Sequence, residues 1–283
     1  MSLTRFSIAT ALLAAAPAYS QLIIDVKEKP KKPWKVSTSV TLAETPIDPA
    51  DTEYRREITG GISASYIVGD LYEYLPNLAA VSVGVTYEDE LTYEDNISNI
   101  QSLVVGMNSL IFDLDNDDLR LTVEPSVGYN LNEDLREFVG YQGFARLQTG
   151  LVFKLPQLIF KSVQAGPTVR YSKYFNSYDT NRLGGQNNDR LQRIGGSLSV
   201  GIWGDISTTA SVTNDTVWLE DGSKDLNKYN ASVSLAYAPA LGFNAAVGWS
   251  QRDNTLKNDD VTNNIDFTYA DTAQVSATVG YKF

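Results

Sequence analysis

The sequence predicts an all-β fold, namely a transmembrane antiparallel up-and-down β-barrel of about 12 strands. Two observations support this prediction. Apolar residues recur at every second position in many segments, and the links between these segments alternate between short and long. Alternation with period two separates the two faces of a strand. In a membrane barrel one face meets lipid, the other lines the lumen, and the links are short at one end and long at the other.

The end of the chain shows the alternation most clearly. One parity of residues 273–283 is apolar or aromatic and ends at Tyr281 and Phe283, whereas the other parity is polar or small and includes Gln274 and Lys282. A helix would scatter these two sets around its circumference, but a strand keeps them apart. We therefore expect this strand to close the barrel by pairing with residues 34–42.

The same pattern recurs along the chain. It is clear in residues 34–42, 79–87, 119–129, 139–153, 229–237 and 243–249, and weaker in 58–66, 163–171, 194–202 and 206–218. Residues 97–112 are also expected to be extended, but their sequence does not show which parity faces out. Aromatic residues concentrate near the expected strand ends, as in the two interfacial girdles of a membrane barrel.

The links supply an independent test of the strand assignment. Short links are expected at residues 69–77, 113–118, 155–157, 204–205 and 239–242. Long polar links are expected at residues 43–57, 88–98, 130–137, 176–189, 220–228 and 252–265. With an even number of strands, both chain ends then lie on the side of the short turns.

The N-terminus has the layout of a cleavable secretory signal peptide. Arg5 precedes an apolar stretch, and Pro17 and small residues lead to an expected cleavage after Ser20. We therefore expect residues 1–20 to be a signal peptide, 21–32 an N-terminal periplasmic segment and 33–283 the barrel. A buried N-terminal helix is the alternative for residues 1–20.

Composition removes several other classes of protein. Beyond the N-terminus, no apolar run reaches the roughly 20 residues that a transmembrane helix needs. The net charge of −11 disfavours nucleic acid as a partner. A soluble β-sandwich is the remaining alternative, but the polar parity is mostly Gly, Ser, Thr, Asn and Gln, which suits a wet lumen better than a soluble surface.

The alternating strands, the signal peptide and the terminal aromatic residues together resemble the β-barrels of Gram-negative outer membranes. The resemblance implies export to the outer membrane, contact with its lipid and lipopolysaccharide, and Tyr281 and Phe283 as the signal read by the barrel assembly machinery. The strand number resembles the 12-stranded monomeric channels, among them the oligogalacturonate-specific porins and the nucleoside-specific channels, and implies a monomer. No motif selects one of these channels.

The sequence gives no indication of an enzyme. Barrel enzymes of the outer membrane depend on histidine for proton transfer, and this chain has 0 His and 0 Cys. Asp113, Asp115, Asp117 and Glu124 match positions of a calcium-binding loop, but Asp118 stands where that loop needs Gly. We favour a polar turn there and expect no catalytic residue, no metal site and no cofactor.

Charged residues on the inward parity are the candidate functional residues. The pore-lining candidates are Arg120, Glu124, Arg146, Arg170, Arg193, Lys35 and Lys282. A basic stripe of these arginines would offer planar donors to the carboxylates of an anionic solute. Alternatively, the arginines pair with Glu124 and with inward-folded acidic loops such as 176–189, forming a structural network or a plug.

The sequence therefore favours a passive diffusion channel for small hydrophilic, and potentially anionic, solutes. Gly and Ser on the inward parity would leave the interior of so wide a barrel open. The alternative is a non-conducting surface protein, such as an adhesin, receptor or scaffold, whose acidic loops face outward.

Overall fold

The structure, a computed structural model, describes residues 33–46, 55–69, 75–76, 79–90, 98–108, 110–115, 118–133, 135–155, 160, 162–182, 184–225, 227–254 and 272–283. The signal peptide expected at residues 1–20 and the segment 21–32 lie outside this described part. Within it, no helix has the length and apolar character needed to cross a membrane.

Antiparallel β-strands form nearly all of the described chain. Their bounds are β1 Trp34–Glu44, β2 Arg56–Ile67, β3 Ala80–Glu90, β4 Ser98–Asn108, β5 Leu110–Asp115, β6 Leu119–Asn130, β7 Tyr141–Leu155, β8 Ser162–Asn176, β9 Asn188–Trp203, β10 Ile206–Leu219, β11 Lys228–Tyr237, β12 Gly242–Asn254 and β13 Ala273–Lys282. A π-helical turn, Leu135–Val139, lies between β6 and β7.

The strands close into a barrel. Except for β4 and β5, strands that follow each other in the chain pair with each other, and β1 also pairs with β13. Strands β4 and β5 both pair with β6, one after the other, so together they occupy one position in the wall. The result is a closed barrel of 12 strands, which confirms the predicted fold class.

The contact between β1 and β13 closes the sheet as predicted. Val40 lies opposite Val279, and Thr38 lies opposite Tyr281. Beyond the last residue of β13, the Phe283 N–H donates to the Val36 carbonyl at 2.9 Å. An unpaired strand edge inside a bilayer would leave backbone groups without partners, so this closure is what makes a membrane-spanning sheet possible.

The apolar parity faces outward around the barrel. Ile62, Val83, Val127, Leu198 and Val247 are between 42% and 63% exposed despite being large and apolar. Lipid rather than water would cover such a surface in a membrane. Aromatic residues that face outward near the strand ends include Trp34, Tyr66, Tyr87, Tyr129, Phe153, Tyr171, Tyr237, Phe243, Tyr281 and Phe283.

Several strand pairs have register shifts that were not visible in the sequence, and two of them decide which side chains face inward. A register shift in the β3–β4 pair skips Gln101, so Ile100 lies opposite Tyr87 while Leu103 lies opposite Val85. This settles the parity of β4. A second shift, between Tyr141 and Gly143, places Tyr141 opposite Asn176. The alternation had assigned Tyr141 to the lipid face, but its ring packs inside the barrel because a bulge reverses the facing of the next residues.

The two ends of the barrel differ as the link lengths predicted. We call them the turn end and the loop end. At the turn end, β9 and β10 are joined by Gly204-Asp205, where Gly204 has a φ of 56°, a left-handed conformation that favours glycine. At the loop end, residues 135–140 and 177–182 pack on each other, with the Arg182 N–H donating to the Phe138 carbonyl at 3.0 Å. The buried Asn187 side chain donates to the Val139 and Tyr178 carbonyls at 2.6 and 2.8 Å.

The two-faced wall leads to a stability prediction. Val279 is 50% exposed on the lipid side of the closing strand, so V279R should cost about 2–4 kcal/mol of unfolding free energy in vesicles. Ser276 lies on the inner face of the same strand, opposite Gly248, so S276R should cost much less. Urea unfolding followed by tryptophan fluorescence measures both. Equal losses would mean that the two faces do not differ in their surroundings.

Candidate functional site: the charged wall of the lumen

A row of polar and charged side chains crosses the inner face of five neighbouring strands. It consists of direct cross-strand partners, in the order Glu124, Gln148, Arg170, Arg193 and Asp215 on β6 to β10. Because directly opposite residues share a face, the whole row points into the barrel. We call it the charged row.

The part of the charged row on β9 and β10 belongs to a buried ion cluster. Arg193 donates to both carboxylate oxygens of Asp215, from Nε at 2.6 Å and from Nη2 at 2.7 Å. Arg252 on β12 donates to Asp215 Oδ2 at 3.3 Å. The Asp215 side chain is 0% exposed. Such a bidentate pair is among the strongest polar contacts, and it fixes both side chains in the wall.

The part of the charged row on β6 to β8 is a relay of hydrogen bonds through the side-chain amide of Gln148. Arg170 donates from Nε and Nη2 to the Gln148 side-chain oxygen at 2.8 and 2.6 Å, and the Gln148 amide nitrogen donates to Glu124 Oε2 at 3.0 Å. Glu124 thus acts on Arg170 through Gln148 rather than by a direct ion pair. Two of the five N–H groups of Arg170 serve this relay.

An apolar cluster lies next to the charged row on the loop side. Phe144, Tyr174, Leu191 and Val217, one from each of β7 to β10, are all at least 93% buried, and Tyr141 and Val104 pack against them. The Arg146 guanidinium lies 4.3 Å from the centre of the Phe144 ring. This is cation–π distance, so the ring orients Arg146.

Gly128 is required for this packing. A Cβ on Gly128 would lie 2.3 Å from a ring carbon of Phe144, because the ring lies flat against β6. Because Gly128 has no side chain, the Phe144 ring can lie directly against the barrel wall.

On the turn side of the charged row, the inner face carries small polar residues. Ser199 and Thr209 share a hydrogen bond of 2.9 Å, and Ser211 and Ser232 one of 2.8 Å. A cavity of about 180 Å³ opens here, lined among others by Glu124, Gln148, Thr168, Ser199 and Thr209. The charged row thus forms one border of an open polar space.

The remaining inward candidates lie apart from the charged row. Arg120 donates to Asp113 Oδ1 at 2.7 Å near the turn end of β6. It is six residues from Ser126, the partner of Arg146, which is roughly 20 Å along the strand. The four-arginine stripe expected from the sequence is therefore divided: Arg146, Arg170 and Arg193 are neighbours, and Arg120 is not one of them. Lys35 and Lys282 lie at the turn end of β1 and β13.

Tyr281 and Phe283, the proposed assembly signal, lie on the outer face. They are 45% and 53% exposed, and their ring centres are 4.7 Å apart. The two rings form a small aromatic pair where the last strand reaches the turn end.

Sequence reasoning missed Asp215, Arg252 and Gln148. Asp215 shares its parity with Ser211, which the alternation had placed inside, but the outward residues Asn214 and Thr216 weaken the pattern there. Arg252 lies on β12. The alternating pattern predicted the end of this strand at Trp249, but the strand continues to Asn254. Extending each parity to the end of its strand would have found both charges.

Metal binding finds no support in the described residues, where no group of three or more potential ligands comes together. In the calcium-like pattern, Asp113 is held by Arg120 instead. Glu124 points to Gln148 on the inner face.

Comparisons with known proteins support the fold. No family model matches the chain, and no curated protein matches it. Among solved structures, the COG4313 outer membrane channel from Pseudomonas putida F1 is similar, with 10% identity and a TM-score of 0.58 over 92% of this chain and 100% of that one. The NanC porin is similar too, with 13% identity and a TM-score of 0.50 over 88% of this chain and 98% of that one.

Another similar structure is the KdgM porin, with 9% identity and a TM-score of 0.49 over 87% of this chain and 99% of that one. At identities this low, the likeness concerns the fold. The chain has the fold of outer-membrane β-barrel channels.

The buried ion cluster gives a second stability prediction. D215N leaves Arg193 and Arg252 buried beside a neutral amide, so it should cost about 3 kcal/mol. R252Q should cost about 1 kcal/mol, because it removes a bond of 3.3 Å to Asp215. The double change R193M/D215L should cost less than D215L alone, since it removes both charges. Urea unfolding measures all four variants, and a D215N protein as stable as the wild type would contradict the role of Asp215.

Proposed function

We propose that this protein is an outer-membrane diffusion channel for small hydrophilic solutes and that it prefers anions. The observation that carries the proposal is a group of five cations, among the described residues, on one inner wall of a closed barrel. In the loop half of β6 to β12, the described inward-facing cations are Arg146, Arg170, Arg193, Lys228 and Arg252. Glu124 and Asp215 lie in the same wall, where Glu124 contacts Gln148 and Asp215 contacts Arg193, and Asp189 pairs with Lys173.

The cations have different parts in this channel. Arg193 and Arg252 hold Asp215, so they maintain the wall. Arg146 and Arg170 are only half-buried. Their planar guanidinium groups suit carboxylates, which they bind in a bidentate manner. Fixed cations at a narrow point attract anions and repel cations, and the effect is larger where little water screens them.

The rest of the lumen suits passive flow. Small hydroxyl residues line the turn half and the opposite wall, where Ser37 and Ser63 are 2.7 Å apart and Thr41 and Thr278 are 2.8 Å apart. Hydroxyls that bond to each other leave space beside them and interact weakly with a passing solute. A channel needs no catalytic group, in keeping with a sequence that has no histidine.

Export and assembly follow as parts of the proposal. We infer that residues 1–20 are removed, that Tyr281 and Phe283 are read by the assembly machinery, that the mature barrel works as a monomer and that the turn end faces the periplasm. N-terminal sequencing of protein from purified outer membranes tests the cleavage after Ser20.

A planar-bilayer recording tests the channel. In a KCl gradient, the wild type should show single-channel steps with a reversal potential that indicates anion preference. The double variant R146S/R170S should lower the ratio of chloride to potassium permeability by about twofold or more, because two fixed positive charges leave the inner wall of the pore.

Arg136 and Arg182 supply the matched control. Both lie in the loop-end segments, outside the lumen, where they stack on Tyr129 and Phe138. R136S/R182S removes the same charge, so it should leave the permeability ratio nearly unchanged. An equal effect of both double variants would show that net charge, and not the inner wall, sets the preference. A folded barrel without conductance steps or solute flux into liposomes would favour the alternative of a non-conducting surface protein.

A further inference from the structure

The outer face of the barrel carries an unexpected row of cations. Lys173 on β8 lies directly opposite Arg190 on β9, which lies opposite Trp218 on β10. All three belong to the outward parity. Lys173 lies two residues beyond Tyr171 toward the loop end. The side chains of Lys173 and Arg190 are each 44% exposed. Lys173, Arg190 and Arg136 form what we call the basic rim.

The position of the basic rim corresponds to the headgroup level of a bilayer. Toward the turn end, the same outer face continues through Val169, Ile194 and Leu198, which are 42%, 53% and 43% exposed. Cations on the lipid face are costly at the bilayer centre, but near the interface their charged ends reach the headgroups.

Acidic residues do not cancel the basic rim. Lys173 pairs with Asp189, and Arg190 Nε lies 3.9 Å from the same carboxylate. Arg136 donates to the Tyr129 hydroxyl at 2.8 Å, and Glu137 follows it in the chain. Three cations thus face two carboxylates. The Arg190 guanidinium lies 5.2 Å from the centre of the Trp218 ring, which holds it on the outer surface.

An apolar groove lies on the same wall below the rim. It has a volume of about 480 Å³, and its outer lining includes Gly196, Leu198, Ala210, Val212, Val233 and Trp249. Gly196 and Ala210 are small residues that leave a depression between larger ones. Gly196 is six residues from Arg190 on the same strand, which is roughly 20 Å. That separation suits a headgroup at the rim and an acyl chain in the groove.

We propose that the basic rim and the groove form a binding site for one phosphorylated lipid of the surrounding leaflet, the lipid A part of lipopolysaccharide. Its phosphate would receive N–H bonds from Lys173 and Arg190, since charge-assisted bonds to phosphate are strong outside bulk water. One acyl chain would fill the groove over Gly196 and Ala210. The site uses the outer face alone, so it is independent of what the lumen carries and requires only that the loop end faces the outer leaflet.

Lipid retention tests the site. The full-length mature barrel is reconstituted in phosphatidylcholine vesicles, of which about one tenth is either diphosphorylated or fully dephosphorylated lipid A. The protein is then extracted in mild detergent, and the lipid that it retains is measured by mass spectrometry. We expect the wild type to retain the diphosphorylated form preferentially. K173Q/R190Q should reduce this retention by about fivefold. Mobility of unheated protein in SDS gels shows that each variant is folded.

Arg55 and Arg56 provide the matched control. Arg55 precedes β2, and Arg56 is the first residue of this strand. Strand β2 is six wall positions away from β9 in either direction round the barrel. R55Q/R56Q should therefore retain as much diphosphorylated lipid A as the wild type. G196L fills the groove, because a Cβ there meets only the Gly166 carbonyl oxygen, at 3.6 Å. It should lower the retention of both lipid forms.

Three results would overturn the site. One is equal retention of the two lipid forms by the wild type, and another is an equal loss in R55Q/R56Q and K173Q/R190Q. The third is displacement of the lipid by inorganic phosphate at millimolar concentration, which would mean that the rim binds free anions rather than a lipid. Conductance is not expected to change in K173Q/R190Q, so failure here is distinct from failure of the channel proposal.

Discussion

The hydrogen-bonded contact between β1 and β13 is the constraint on which the rest of the structure depends. Without it, the sheet would present two free edges, and backbone groups at an edge find no partner in hydrocarbon. Closure fixes the register of every strand relative to its neighbours, and the register in turn decides which residues face lipid and which face the lumen. A slip of β13 by one residue would turn Val279 inward and Gly280 outward. The charged row exists only because this register holds across β6 to β10.

The sequence predicts the fold well because both faces of most strands have a distinct solvent. On β13 and β3, apolar and small polar residues alternate without exception over most of the strand, so the parity is unambiguous. The prediction weakens where the strand leaves the hydrocarbon. On β10, Asn214 and Thr216 face outward near the loop end, and on β12 the pattern gives no reason to continue past Trp249. These are the regions that carry Asp215 and Arg252, so the sequence identified one of the three residues of the ion cluster and missed the residue at its centre.

The bulge at Tyr141 shows a second limit, which concerns geometry rather than pattern. One inserted residue changes the face of everything beyond it on that side, and no residue type announces it. Here it brings Tyr141 inside, where its ring meets Tyr174 edge to face with 5.9 Å between ring centres. Arg146, Arg170 and Arg193 lie beyond the reach of this shift, so parity placed them on the inner face correctly. Their partners, which require knowledge of neighbours in space, could not be assigned in the same way.

The wall formed by β7, β8 and β9 has the longest strands of the described chain. These strands have 15, 15 and 16 residues, whereas β1 and β3 have 11. About 9–11 residues suffice to cross the bilayer, so the longer strands extend past the hydrocarbon at the loop end. The added rows carry the apolar cluster inside and the basic rim outside. The outer cations avoid the bilayer centre, where they would be costly, because they lie on these longer strands near the loop end, whereas the inner arginines face the lumen and do not contact lipid. Strand length thus accounts for the outer cations, and the alternate facing of residues along each strand accounts for the inner arginines.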